Sequence, residues 1–172
     1  MQFRYYKGLD FLNKRGIIHW DLKPENILLK KPNKTGIKII DLGSSWYIDE
    51  QVYTYIQSRF YRAPEIMLGI PYSTAIDMWS FAWILVELYI GYPLFPGESE
   101  EEQFSLIMEY KGVPPINILE SATRRELFFD KDLKPLAVKD SLGDEIKTNS
   151  KALPQLLCYN ATSDSSVRKL FK

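Results

Sequence analysis

The chain has 172 residues, 45% of them hydrophobic and 14% aromatic, enough apolar side chain for one core of ordinary domain size. Lysine plus arginine and aspartate plus glutamate balance at 22 each, so no net field draws in a nucleic acid or an anionic membrane. A single cysteine, Cys158, and a single histidine, His19, exclude a disulfide framework and leave too few soft ligands for zinc. Met1 to Gly16 carries charges throughout and lacks the apolar stretch of a secretory signal; Tyr5, Leu9 and Leu12 recur at helical steps, predicting an amphipathic helix closed by Gly16. Ile27–Lys30 and Ile37–Ile40 predict two short strands joined by a turn. A second helix is predicted from Ser73 or Thr74 to about Tyr89, ahead of Gly91. It has almost no polar stripe between Met78 and Leu88, which assigns it to the middle of the domain. Ser99 followed by Glu102 is a capping-box pattern, and Phe104, Ile107 and Met108 give the helix behind it an apolar face before Gly112. From Glu120 to Ser150 the periodicity fades into mixed charge with Pro135 and Gly143, which reads as an irregular surface insert, and no internal repeat is evident. The longest apolar run, Phe81–Val86, is too short to span a bilayer, so the cytoplasm or the nucleus is expected.

Polar chemistry concentrates in His19-Trp20-Asp21-Leu22-Lys23-Pro24-Glu25-Asn26 and in Asp41-Leu42-Gly43. Phosphoryl transfer needs an acceptor for the substrate hydroxyl's proton, hard oxygen ligands for magnesium and a cation near the moving phosphate. Two acids, an amide and a lysine supply all three. Taken singly, Asp21 and Asp41 also fit turn positions, and Lys23 and Asn26 a solvated surface. His19, beside Ile17 and Ile18, reads as a core residue that orients the loop rather than as a proton shuttle.

With Ala63-Pro64-Glu65 downstream, these motifs resemble the catalytic loop, the magnesium loop and the end of the activation segment of eukaryotic protein kinases. The resemblance implies a mainly α fold, that of the kinase C-terminal lobe, in which a short β-ribbon carries the catalytic and magnesium loops. Residues 1–172 would form one partial catalytic domain, truncated at both ends, with 120–172 as an irregular insert. It implies Asp21 as catalytic base, Lys23 as the residue that steadies the transferring phosphate, and Asn26 and Asp41 as magnesium ligands. Lys23, Glu25, Asn26 and Asp41 would face the nucleotide, with ATP and Mg2+ as cofactors. Asp77 resembles the buried acid that accepts hydrogen bonds from the catalytic-loop backbone, and near a helix N-terminus it also suits the dipole. Glu65 would pair with an arginine from helices beyond Lys172 and is expected to stand unpaired here.

The run from Val52 through Tyr53, Tyr55 and Arg62 to Glu65 is similar to the activation loop of the dual-specificity tyrosine-regulated kinases. Asp41-Leu42-Gly43-Ser44-Ser45 and Gly91-Tyr92-Pro93-Leu94-Phe95-Pro96-Gly97 agree with the same family, and the likeness is strongest from Gly8 to Pro115. It implies a serine/threonine kinase that phosphorylates its own Tyr55, whose phosphate Arg59 and Arg62 would dock. Gln57 and Ser58 would shape a pocket that prefers proline after the phosphoacceptor. The implied partners are proteins bearing serine or threonine, together with the missing N-terminal lobe; neither a nucleic acid nor a membrane is expected. The sequence has no glycine-rich phosphate loop and no Val-Ala-Ile-Lys strand, so this stretch alone is expected to be inactive. The alternative is a docking module for substrates or regulators, derived from a kinase lobe. Leu42 replaces the family's phenylalanine, a tolerable apolar swap. Trp20, Trp46 and Trp83 stand where the family has cysteine, whereas Trp79 sits at a family tryptophan. Either the lineage has diverged there, or its UGA codons encode cysteine.

Overall fold

The computed structural model describes residues 2–31, 36–50 and 56–161. Helix α1 (Gln2–Asn13) turns Leu9 and Leu12 into the core and is followed by Gly16 at φ +64°, as its spacing predicts. That left-handed turn lets Gly16 O accept from Ile48 N at 2.8 Å. It starts β1 (Ile17–Ile18), whose residues Ile17 and Ile18 pair antiparallel with Tyr47 and Trp46 further along the chain. Strands β2 (Ile27–Leu29) and β3 (Ile37–Ile39) form the expected antiparallel pair, with Ile27 opposite Ile39 and Leu29 opposite Ile37. Ile27, Ile37 and Ile39 pack on the core, while Leu28 and Leu29 face outward. The partner of β1 is β4 (Trp46–Tyr47).

Helix α2 (Pro64–Leu68) is short and stops at Gly69, φ +66°. Helix α3 (Ala75–Ile90) begins and ends as predicted, with Gly91 at φ +93°. It sends Phe81, Trp83 and Ile84 into the larger of two apolar clusters and Ile76 into the smaller. It is not buried all round: Met78 is 40% and Leu88 58% exposed. Helix α4 (Glu100–Lys111) is capped by Ser99, whose Oγ accepts from Glu102 N at 3.1 Å. The returning bond of the box is displaced by one residue, since the Glu102 carboxylate accepts from Glu98 N at 2.8 Å. Phe104, Ile107 and Met108 are buried, as their spacing predicts.

The stretch after Glu120 departs from expectation in two ways. Helix α5 (Ile116–Ser121) and a 3-10 turn at Arg125–Leu127 deliver Ala122, Phe128 and Phe129 to the core, where the rings of Phe104 and Phe128 stand 4.6 Å apart. This part is core rather than surface insert, because aromatic side chains seek burial whether or not they recur at a helical period. Beyond it, one loop geometry occurs twice in tandem. Asp130 Oδ1 accepts from Asp132 N and Lys134 N, each at 2.9 Å, and Asp140 Oδ1 accepts from Leu142 N and Asp144 N at the same distance. Leu133 and Gly143 supply the left-handed step, at φ +58° and +88°. The leading aspartate is the one residue that the two loops share position for position, so the repeat escapes a search for sequence identity. Helix α6 (Leu153–Ala161) closes the described chain, its Leu157 carbonyl accepting from Tyr89 OH at 3.1 Å. Among the described residues no helix is long and apolar enough to cross a membrane.

Candidate active site

The site begins with a backbone step that its residue type disfavours. Trp20, directly after β1, adopts φ +69°, a left-handed conformation that costs a bulky residue about 1–2 kcal/mol. Asp77, in the first turn of α3, holds it there: Oδ2 accepts from His19 N at 2.7 Å and Oδ1 from Trp20 N at 3.3 Å. Burial pushes the Asp77 carboxyl up to about 6, against the pull of those two N–H donors. His19 is fully buried, with Nε2 2.9 Å from Ile40 O and Nδ1 accepting from Asp21 N at 3.4 Å. That pairing assigns the proton to Nε2. Burial holds His19 below its ordinary pKa despite the Ile40 hydrogen bond and the fields of Asp21 and Asp41, so the ring is a neutral strut.

Both carboxylate oxygens of Asp21 are engaged. Lys23 Nζ stands 2.6 Å from Oδ2, and Ser58 Oγ donates to Oδ1 at 2.7 Å. Burial alone would raise this carboxyl, but the hydrogen bonds from Lys23 and Ser58 and the Lys23 charge outweigh it and hold Asp21 below its ordinary pKa. The carboxylate is therefore ionised, as a proton acceptor must be. Lys23 is raised in turn, first by its bond to Asp21. Asn26, buried at the end of the 3-10 turn Pro24–Asn26, donates Nδ2 to Asp21 O at 2.7 Å, which leaves its Oδ1 to accept. Ile40 N donates to Asn26 O at 3.0 Å and so brings Asp41, exposed and at φ +64°, in beside it. The Asn26 carbonyl and the Asp41 carboxylate are hard oxygen donors that fit magnesium, an ion that usually keeps waters and takes phosphate oxygens as its other ligands. Among the described residues no trio of His, Cys, Asp or Glu is gathered to hold a metal. Glu25 is exposed, hydrogen-bonds to none of these groups and acts on Lys23 through its field.

A cavity of about 510 Å³ is lined by Asp21 and Lys23 together with Trp20, Trp46, Ile56, Gln57 and Ser58. The two indoles stack with centroids 6.1 Å apart. Tyr53 and Tyr55 lie outside the described residues. Gln57 is buried at φ +67°; its side chain donates to Ile76 O at 3.1 Å and Ser80 Oγ at 2.9 Å and accepts from Ala63 N at 2.8 Å. Its backbone oxygen accepts from Arg62 Nη2 at 2.9 Å, and Arg62 Nε donates to Ile56 O at 2.8 Å. Arg59 Nη1 reaches Gly97 O at 3.4 Å and Glu98 O at 2.5 Å. Arg59 and Arg62 thus already satisfy main-chain carbonyls of their surroundings. Glu65 Oε2 is buried with no hydrogen-bond partner among the described residues.

The structure therefore gathers Asp21, Lys23, Asn26 and Asp41, sets His19 and Asp77 beneath them and leaves Glu25 at the edge. Sequence reasoning misses the Ser58–Asp21 bond, which joins positions 37 apart, and it misses Glu100 and Arg124, whose charges tie the segment around Arg62 to α4. A glutamate in a first helical turn carries no sequence signal beyond the dipole.

The chain matches the protein kinase domain family over residues 3–169. It is 54% identical over 151 residues to dual specificity tyrosine-phosphorylation-regulated kinase 2 of Drosophila melanogaster, a match covering 88% of this chain and 21% of that protein. Against dual specificity tyrosine-phosphorylation-regulated kinase 4 of Homo sapiens the identity is 51% over 157 residues, covering 91% and 30%. Against the DYRK-family kinase pom1 of Schizosaccharomyces pombe it is 50% over 149 residues, covering 87% and 14%. The chain spans less than a third of the length of each of these relatives.

Proposed function

The chain belongs to the protein kinase family, among the dual-specificity tyrosine-regulated kinases, and on that premise we propose that it forms the C-terminal catalytic lobe of a serine/threonine kinase. The observation that carries this reading is the pair of bonds on Asp21, a hydroxyl on Oδ1 and an ammonium on Oδ2. A serine or threonine of a protein substrate takes the place that Ser58 Oγ marks and gives its proton to Asp21. Its oxygen bonds to the terminal phosphorus of ATP while the bond to the ADP oxygen breaks. Lys23, already beside Asp21, offsets negative charge on the group in transit. Asn26 and Asp41 would hold magnesium, which when bound neutralises the phosphate oxygens. The parts that cover the nucleotide in kinases are absent from this sequence, so the 172-residue stretch by itself should turn over negligibly.

The Gln57 backbone supports a preference for proline after the phosphoacceptor. With its carbonyl turned into Arg62, Gln57 has no acceptor to give a substrate N–H, and proline is the residue that has none to satisfy. The test is transfer of labelled phosphate to a Ser-Pro peptide by the full-length protein. Asp21→Asn should lower kcat by about 10²–10⁴-fold, the range that general base catalysis supplies. A variant within a few-fold of wild type would sink the assignment.

A further inference from the structure

The segment on which the proline reading rests is gripped from outside by the start of α4. Glu100, the first residue of that helix, sits between two guanidiniums. Arg62 Nη1 is 3.3 Å from Oε1, Arg124 Nη2 is 2.6 Å from Oε2, and Arg124 Nη1 is 3.1 Å from Oε1. Arg124 is tied down independently: Nη1 lies 3.2 Å from Met67 O, and its backbone N–H donates to Leu68 O at 3.1 Å. Just before the helix, Gly97 and Glu98 offer their carbonyls to Arg59, and Gln103 Nε2 reaches Phe60 O at 3.4 Å. Gly97 lies close against α4, since a Cβ there would meet Gln103 N at 2.5 Å. Neither Glu100 nor Arg124 lines the cavity over Asp21.

We infer that Glu100, anchored by Arg124, is a positioning residue for substrate selection: it orients Arg62 so that the Gln57 carbonyl stays turned away from the residue after the phosphoacceptor. The inference rests on the proline reading. The side chain of Arg62 is 3% exposed, so its charge depends on the partners inside the fold. Without the Glu100 carboxylate the guanidinium loses the partner that fixes its Nη1 edge and swings toward its other acceptors, and Gln57 O is released to accept a substrate N–H. Substrates without proline then gain, while Asp21 and Lys23 keep their own contacts. If Glu100 only complemented the helix dipole, its loss would lower stability and leave selectivity unchanged.

The experiment compares kcat/KM of the full-length protein on two peptides that differ only in proline or alanine after the serine. In the wild type the proline peptide should be preferred. Glu100→Gln, of equal size, should lower the proline-to-alanine ratio about three- to tenfold, the worth of one hydrogen bond, through a gain on the alanine peptide. Arg124→Gln should do the same and carries the test if Glu100→Gln does not fold. A wild type without preference overturns the proline reading and this inference together. A selective wild type with an unchanged ratio in the glutamine variants overturns this inference alone.

Discussion

Ser58 Oγ donates to Asp21 Oδ1 at 2.7 Å across 37 positions of sequence, and this hydroxyl helps to keep the carboxylate ionised. Ser58→Ala should therefore raise the Asp21 pKa and move the acidic limb of the kcat/KM profile to higher pH, because the base must be unprotonated to act. At neutral pH, where the carboxylate is ionised in both proteins, the rate should change little, and Ser58→Thr should return the acidic limb to its wild-type position. An alanine variant with an unshifted acidic limb would separate Ser58 from the tuning of Asp21.

Asp77 carries the opposite sign. Its folded-state pKa is about 6 against an ordinary 3.8, the cost of burying a carboxyl whose oxygens hold His19 N and Trp20 N. A raised folded pKa contributes stability that is complete below the unfolded value and lost as pH rises through the folded one, because the native state binds the proton more tightly. The stability of wild type relative to Asp77→Asn should thus decline between about pH 4 and pH 7, by about 3 kcal/mol at most. Urea unfolding at the two pH values measures it. A difference that does not vary with pH would show that Asp77 stays charged throughout.

Tyr55 should carry phosphate in the full-length protein, and Tyr53 should carry less. Arg59 and Arg62 follow Tyr55 by four and seven positions in the sequence, and a phosphate there would add charge-assisted acceptors to arginines that also bond main-chain carbonyls and Glu100. Phosphopeptide mass spectrometry reads this directly; phosphate on Tyr53 with Tyr55 bare would reverse the assignment.

The tryptophans separate on the nucleotide sequence. Trp83 is buried, edge-on to Trp79 at 5.3 Å and to Phe95 at 4.6 Å, and its indole N–H has no acceptor among the described residues. A cysteine there would need none. Trp79 shares the unmet N–H, so this feature by itself does not tell the two sites apart. The expected outcome is UGA at codons 20, 46 and 83 with UGG at 79, followed by cysteine masses at the three positions in native peptides. UGG at all four means divergence, with the cleft walled by the Trp20–Trp46 stack as described.

The features legible in the chain are those whose physics is local. Gly16 and Gly91 close helices because a left-handed residue ends a helix within one turn, and Ser99 opens one by reaching an N–H three residues on. Asp21, Lys23 and Asn26 could be named from their likeness to the kinase catalytic loop, and the fold then lets them meet across a single turn. The long-range relations were settled by chain closure. Asp77 meets His19 over 58 positions, a contact to which only the family likeness pointed, and Glu100 meets Arg62 over 38; no spacing rule reports such pairs, because they exist only once apolar burial has fixed where α3 and α4 lie. Phe128 and Phe129 belong to the same class. Their neighbours in sequence read as surface, and it is the space left beside Phe104 that brings them inside.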